Sequence, residues 1–140
     1  MKRALFAFAL LACASTASAD TYITTHGVSY HGNRSEKWNE ANHGLGIEHT
    51  LGDGGLIAGY YRNSYDKDTF YAGYAYRPLQ MKYLRAGIMV AAATGYNSPV
   101  IAAPTINIGT DDLSVDIITA PAFGKNTTWF VGASLKWRLF

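Results

Sequence analysis

This 140-residue chain has four histidines, ten acidic residues and a scatter of hydroxyls with which to do acid–base or nucleophilic chemistry. A histidine beside a serine suits proton transfer, because imidazole titrates near neutrality and can relieve a hydroxyl of its proton. His31 and Ser64 are the pair best placed for it, each closing an alternating apolar–polar run at the edge of a loop. Asn63, next to Ser64, can orient an imidazole but carries no charge to stabilise its protonated form. A lone Ser and a lone His beside loops equally describe an ordinary solvated rim, and the residues alone leave both readings open. His43 and His49 lack metal-ligand spacing, and the only cysteine, Cys13, excludes a disulfide framework or a Cys-rich metal site. Neither a metal nor a cofactor is implied.

The first nineteen residues stand apart from the rest. Lys2 and Arg3 precede an apolar run from Ala4 to Ala14, and Ala17-Ser18-Ala19 is a small-x-small cleavage signal before Asp20. The pattern predicts a secretory signal peptide over 1–19, too short to span a membrane. Cleavage would remove Lys2, Arg3 and Cys13, and the formal charge of +2 with them, leaving 20–140 neutral and free of cysteine. A neutral surface gives no motive for nucleic-acid binding.

The elements that must position His31 and Ser64 are strands. Gly, Asp, Asn and Pro divide the chain into runs near 22–31, 41–51, 56–65, 69–78, 82–94, 99–108, 113–122 and 128–139. Eight strands of about ten residues, with tight turns alternating with longer loops, predict an all-β fold, an eight-stranded antiparallel transmembrane β-barrel of the outer-membrane type. In the last run Trp129, Val131, Ala133, Leu135, Trp137 and Leu139 share one face, with Gly132, Ser134, Lys136 and Arg138 on the other. The charges Glu48, Arg62, Arg77, Arg85, Asp116 and Lys136 all fall opposite an uncharged face. A charge facing lipid at mid-bilayer costs ~2–4 kcal/mol, so these are expected inside. A lipocalin-like soluble barrel would invert the faces. Against it stand Trp and Tyr near strand ends and a charged fraction of only 16%.

Within the barrel, Arg77, Arg85, Lys136, Arg138, Glu48 and Asp116 predict an ion-paired plug in the lower or middle lumen. Above it Gly44, Gly46, Ala91, Ala93, Ala120 and Gly132 are small and are joined by Met89, Ile118 and Phe130. Such a lining leaves either a cavity for an acyl chain or small ligand, or a space that Tyr and loop side chains fill. Pro99, Pro104 and Pro121 fall in the upper parts of strands six and seven. Proline removes a ladder donor, so these strands are expected either to part, as a lateral door, or simply to kink.

Several of these stretches resemble the outer-membrane lipid A palmitoyltransferase family. Trp38-Asn39-Glu40 followed by Gly44 and Gly46 is similar to the family's aromatic-Asn-Glu segment and Gly-rich second strand. Asn63-Ser64-Tyr65 followed by Ala72-Gly73-Tyr74 is similar to its Asp-Ser-aromatic motif and the Ala-Gly-Tyr after it. Pro99-Val100, Pro104 and Pro121 resemble the prolines that flank its substrate door. The resemblance implies a barrel that moves a palmitoyl chain from a phospholipid to lipid A, with the chain held in an interior pocket whose depth selects its length. Ser64 matches the family's rim serine, and Asn63 stands where it has Asp. Thr25 falls at the place of its His, with His26 adjacent and His31 nearer the rim. Ala75 falls at the pocket floor. The family's N-terminal helix has no counterpart.

The reading that follows is an acyltransferase-like barrel in the outer membrane. His31 is the base, Ser64 its rim partner or a hydroxyl that orients the donor, and Asn63 an orienting group. Ala75, Met89 and Ala91 line the acyl pocket, and Pro99, Pro104 and Pro121 flank the door. Phospholipid and lipopolysaccharide are the partners of a monomer. The alternative is a non-enzymatic small barrel with a structural, adhesive or surface-modifying role.

Overall fold

Alternation of period two is what folds this chain, and it does so eight times. The computed structural model describes residues 19–120 and 128–140; the expected signal segment, apart from Ala19, and Pro121 lie outside them. The strands are β1 (Thr21–His31), β2 (Ala41–Leu51), β3 (Gly54–Arg62), β4 (Asp68–Met81), β5 (Leu84–Ala93), β6 (Val100–Gly109), β7 (Leu113–Ala120) and β8 (Phe130–Arg138). Each pairs antiparallel with the next, and β8 pairs with β1, so the sheet closes into a barrel. Closure gives every strand a neighbour on both sides and so removes the free edge strands that an open sheet leaves as a template for aggregation.

The barrel has two unlike ends. Two-residue or three-residue turns join β2 to β3, β4 to β5 and β6 to β7 at one, the turn end. Gly52 takes φ 57° in the first of these, a conformation that a side chain disfavours. The connections 32–40, 63–67 and 94–99 lie at the other, the loop end.

Side-chain direction follows the pleat. The outer surface carries Leu45, Ile47, Ile88, Val90, Ile106 and Leu135 around its middle, all exposed. Tyr30, Tyr60, Phe70 and Trp129 are exposed toward the loop end, and Tyr76, Tyr83 and Phe140 toward the turn end. Inside lie Glu48, Arg77, Asp116 and Lys136, all buried. A lipocalin-type barrel has the reverse arrangement, apolar within and polar without.

Two expectations about faces are corrected. Strict alternation would put Thr25, Gly27, Ser29 and His31 on one odd face of the first strand, and the strand does not keep that face. Its pairing slips between His26 and Val28 on both sides, a bulge at Gly27. Below it Tyr22, Thr24 and His26 point inward, while Thr25 sits opposite the exposed Leu45 and Leu135 and so points out. Above it Ser29 and His31 point inward and Val28 and Tyr30 outward. The extra residue resets the phase, as bulges do. Arg62 is the second correction. It ends β3 in register with Asp68, on the outward face with Tyr60 and Phe70, and bonds Asp66 at 2.9 Å and Asp68 at 2.8 Å. At the barrel's end an outward charge meets its own partners, so the inward rule does not bind it.

Candidate functional site

The site rises in layers from a charged floor. Glu48 Oε1 accepts from Arg77 at 2.7 Å and from Lys136 at 2.7 Å, and Arg77 reaches Asp116 at 3.4 Å. Asn107 donates to Asp116 at 2.8 Å and to Ser114 at 2.7 Å. Two cations face two anions, so the layer is neutral; of the plug expected from the sequence, Arg85 and Arg138 stand apart from it and pair with Asp111 and Asp112 in the turn instead. Each charge comes from a different strand, because only the inward position of each pleat can reach the axis.

An apolar belt sits above the floor. Ala75, Met89 and Ala103 are buried together, with Ile57, Ile101 and Ile118 packed on them. Ala91 is buried on the same inward face of β5 as Met89. Met89 does not fill the lumen: a cavity of about 440 Å³ runs from the rim past Ala75 and Met89 to Glu48 and Arg77. That volume lies within the ~300–1,000 Å³ span of small-molecule sites.

One wall of this cavity is aromatic. His26 is hydrogen-bonded to Tyr71 Oη at 2.8 Å and to Ser134 Oγ at 3.2 Å. Tyr61 and Tyr96 share a 2.6 Å hydroxyl contact, and burial beside Tyr61 pushes the Tyr96 phenol up. Gly46 and Gly59 are where Tyr71 needs them, since a Cβ on either would strike its hydroxyl.

The opposite wall is aliphatic and broken. β6 and β7 pair only from Thr105 opposite Ile118 to Gly109 opposite Ser114. Beyond that, Val100 to Pro104 pair only with β5, and Thr119 and Ala120 only with β8, among the described residues. Pro104 stands at the residue where the ladder stops, points outward, and has no N–H to extend it. Pro99 precedes β6 in the 94–99 connection. On this side the cavity is lined by outward Val100 and Ala102 as well as inward Ile101 and Ala103.

At the rim His31 closes β1, buried, with its ring stacked between Trp38 at 4.7 Å and Phe130 at 5.8 Å. Its Nδ1 has no hydrogen-bond partner among the described residues and faces Glu40 Oε1 at 3.8 Å. Glu40 is fixed from two sides: the His31 backbone N–H donates to it at 3.1 Å, and Arg34 holds the same oxygen. That N–H first, and then Arg34, keep its carboxyl below the ordinary glutamate range. A buried, neutral imidazole with a carboxylate 3.8 Å from its free Nδ1 is an arrangement that can accept a proton, with Glu40 offsetting part of the cost that burial puts on the charged ring.

Ser64 lines the same cavity as His31, and its backbone carbonyl accepts from Asn39 N–H at 2.9 Å. Asn63 has other work. Its Nδ2 donates to Thr69 and to the Gly95 carbonyl, each at 3.0 Å. Its Oδ1 accepts from the N–H groups of Tyr65 at 2.9 Å and Lys67 at 3.0 Å. All four side-chain positions are taken and none faces His31. The acidic partner that Asn63 could not supply is Glu40, which sequence reasoning placed only in a motif. Comparison with known proteins adds no name: no family model and no curated protein matches the chain.

Proposed function

We propose that this chain is an outer-membrane barrel that draws an acyl chain from a phospholipid into its lumen and transfers it to lipid A or a similar surface lipid. The observation that carries the reading is the lumenal cavity, bordered by the stretch where β6 and β7 do not pair among the described residues and topped by His31 and Glu40. The outer belt of aliphatic side chains between two aromatic girdles supports a place in a bilayer, with the loop end outside the cell. Ala75, Met89 and Ala91 would receive the methylenes. His31 takes the proton of the acceptor hydroxyl as its oxygen attacks the ester carbonyl. The lysophospholipid oxygen leaves with that proton, and Glu40 stabilises the imidazolium between the two steps. Ser64 orients the donor. Phospholipid and lipopolysaccharide are then the partners, and a monomer suffices.

One observation favours the alternative of a non-enzymatic barrel: the saturated Asn63, which ties the 63–67 and 94–99 connections together rather than serving the base. Mass spectrometry of lipid A from a producing host separates the two. An added acyl chain that disappears in His31→Ala and Glu40→Gln supports the enzyme. An unchanged lipid A, with folded protein in the outer membrane, sinks it.

A further inference from the structure

Among the described residues the lumen is hollow on both sides of the ion-pair layer. Below the layer lies a second cavity, of about 230 Å³, lined by Asp20, Tyr22, Asp53, Arg85, Asp111 and Lys136 among others. Glu48 and Arg77 line both. The wall between the two spaces is therefore one side-chain layer thick. Eight-stranded barrels are ordinarily closed because side chains fill them along their whole length. Here Gly44, Gly46, Gly73, Ala75, Ala91 and Ala103 are small inward positions above the layer, and the larger His26, Tyr61, Tyr71 and Met89 among them still leave the upper cavity open. Filling does not close this barrel; the layer does.

The layer also has room to rearrange. Arg77 is buried, yet its Nε has no partner among the described residues. It divides its other nitrogens between Glu48 and a longer 3.4 Å contact to Asp116. A network with an unsatisfied member is where partners exchange most readily.

We infer that the barrel is a latent channel, and that the Arg77–Glu48–Asp116–Lys136 layer is the gate separating a loop-end chamber from a turn-end chamber. This rests on the membrane reading of the barrel but not on its enzymology. Ions are the permeant class, because both chambers abut charged side chains at the gate. The charge left behind sets the preference. Losing Arg77 leaves Lys136 against Glu48 and Asp116, a net −1, and losing Glu48 leaves Arg77 and Lys136 against Asp116, a net +1.

The test is single-channel recording in planar bilayers bathed in KCl. Wild type, Arg77→Ala, Glu48→Ala and the double variant are compared, each first shown folded by circular dichroism and inserted by flotation with phosphatidylcholine vesicles. Wild type is expected to be silent. Arg77→Ala is expected to open in discrete steps with potassium favoured over chloride several-fold, and Glu48→Ala to shift that ratio toward chloride. The double variant removes one cation and one anion, leaves Lys136 and Asp116 with no net charge between them, and is expected to conduct if either single variant fails to fold. Folded, inserted variants that stay silent would overturn the gate, as would a wild type that conducts like Arg77→Ala. Failure to float with vesicles would overturn the membrane reading and the gate together.

Discussion

The two halves of the lumen are built on opposite principles. Toward the turn end, charged side chains from β2, β4, β7 and β8 pair with one another in a layer across the lumen, with only Arg77 Nε of that layer unpartnered among the described residues. Toward the loop end, small residues leave a cavity, and the polar groups at its rim are left partly unpaired: Ser29 Oγ and His31 Nδ1 are buried without partners among the described residues. One half spends its polar groups on order, while the other keeps some in reserve. Stability and chemistry are thereby separated along one axis, and substitutions should tell the halves apart.

The largest effect is expected at the floor. Glu48→Ala strands Arg77 and Lys136 in the interior, and breaking such a buried network costs ~3–5 kcal/mol. Urea unfolding of the refolded barrel measures it, and a loss below that of a surface substitution would dissolve the contrast. Next comes Asn63→Ala, which leaves the Tyr65 and Lys67 N–H groups without an acceptor at a fully buried position. About 1–3 kcal/mol is expected by the same measurement, with faster proteolysis at the loop end. Gly132→Val should cost little. A Cβ there meets nothing nearer than 3.7 Å, so stability should stay within ~1 kcal/mol while the lumen loses room for an acyl chain. Reduced acylation at unchanged stability would be read from lipid A spectra. Smallest is the response to acid. The Glu40 carboxyl is lowered in the folded chain, so its hold on the His31 N–H and Arg34 is complete at neutral pH and is lost only as pH falls through that lowered value. The His31 ring should then loosen, and a Trp38 fluorescence change confined to pH below about 4.5 would report it.

Much of this division was legible in the residues. The alternation placed all eight strands, and the inward charges at Glu48, Arg77, Asp116 and Lys136 followed from the cost of facing lipid. The outward Arg62 was not legible, because that cost vanishes at a strand's end, where Asp66 and Asp68 are also within reach. The His31–Glu40 contact was hidden for a different reason. Eight residues of loop separate the two, and period-two patterning says nothing about how a loop folds back. The saturated amide of Asn63 was hidden likewise: it depends on carbonyls and hydroxyls from Thr69 and Gly95, which no spacing announces. The broken β6–β7 ladder was half visible, in Pro104, while its extent depended on register.

The bulge at Gly27 has a genetic consequence. Deleting that one residue would leave a strand of nearly the same length and composition, still able to pair with β2 and β8. Plain alternation would then run from His26 inward to Val28 outward, so Ser29 and His31 would stay in the lumen and Val28 and Tyr30 outside. A codon lost at this point would straighten the strand and spare both the barrel and its rim, whereas keeping Gly27 in regular pleat would turn His31 out of the lumen.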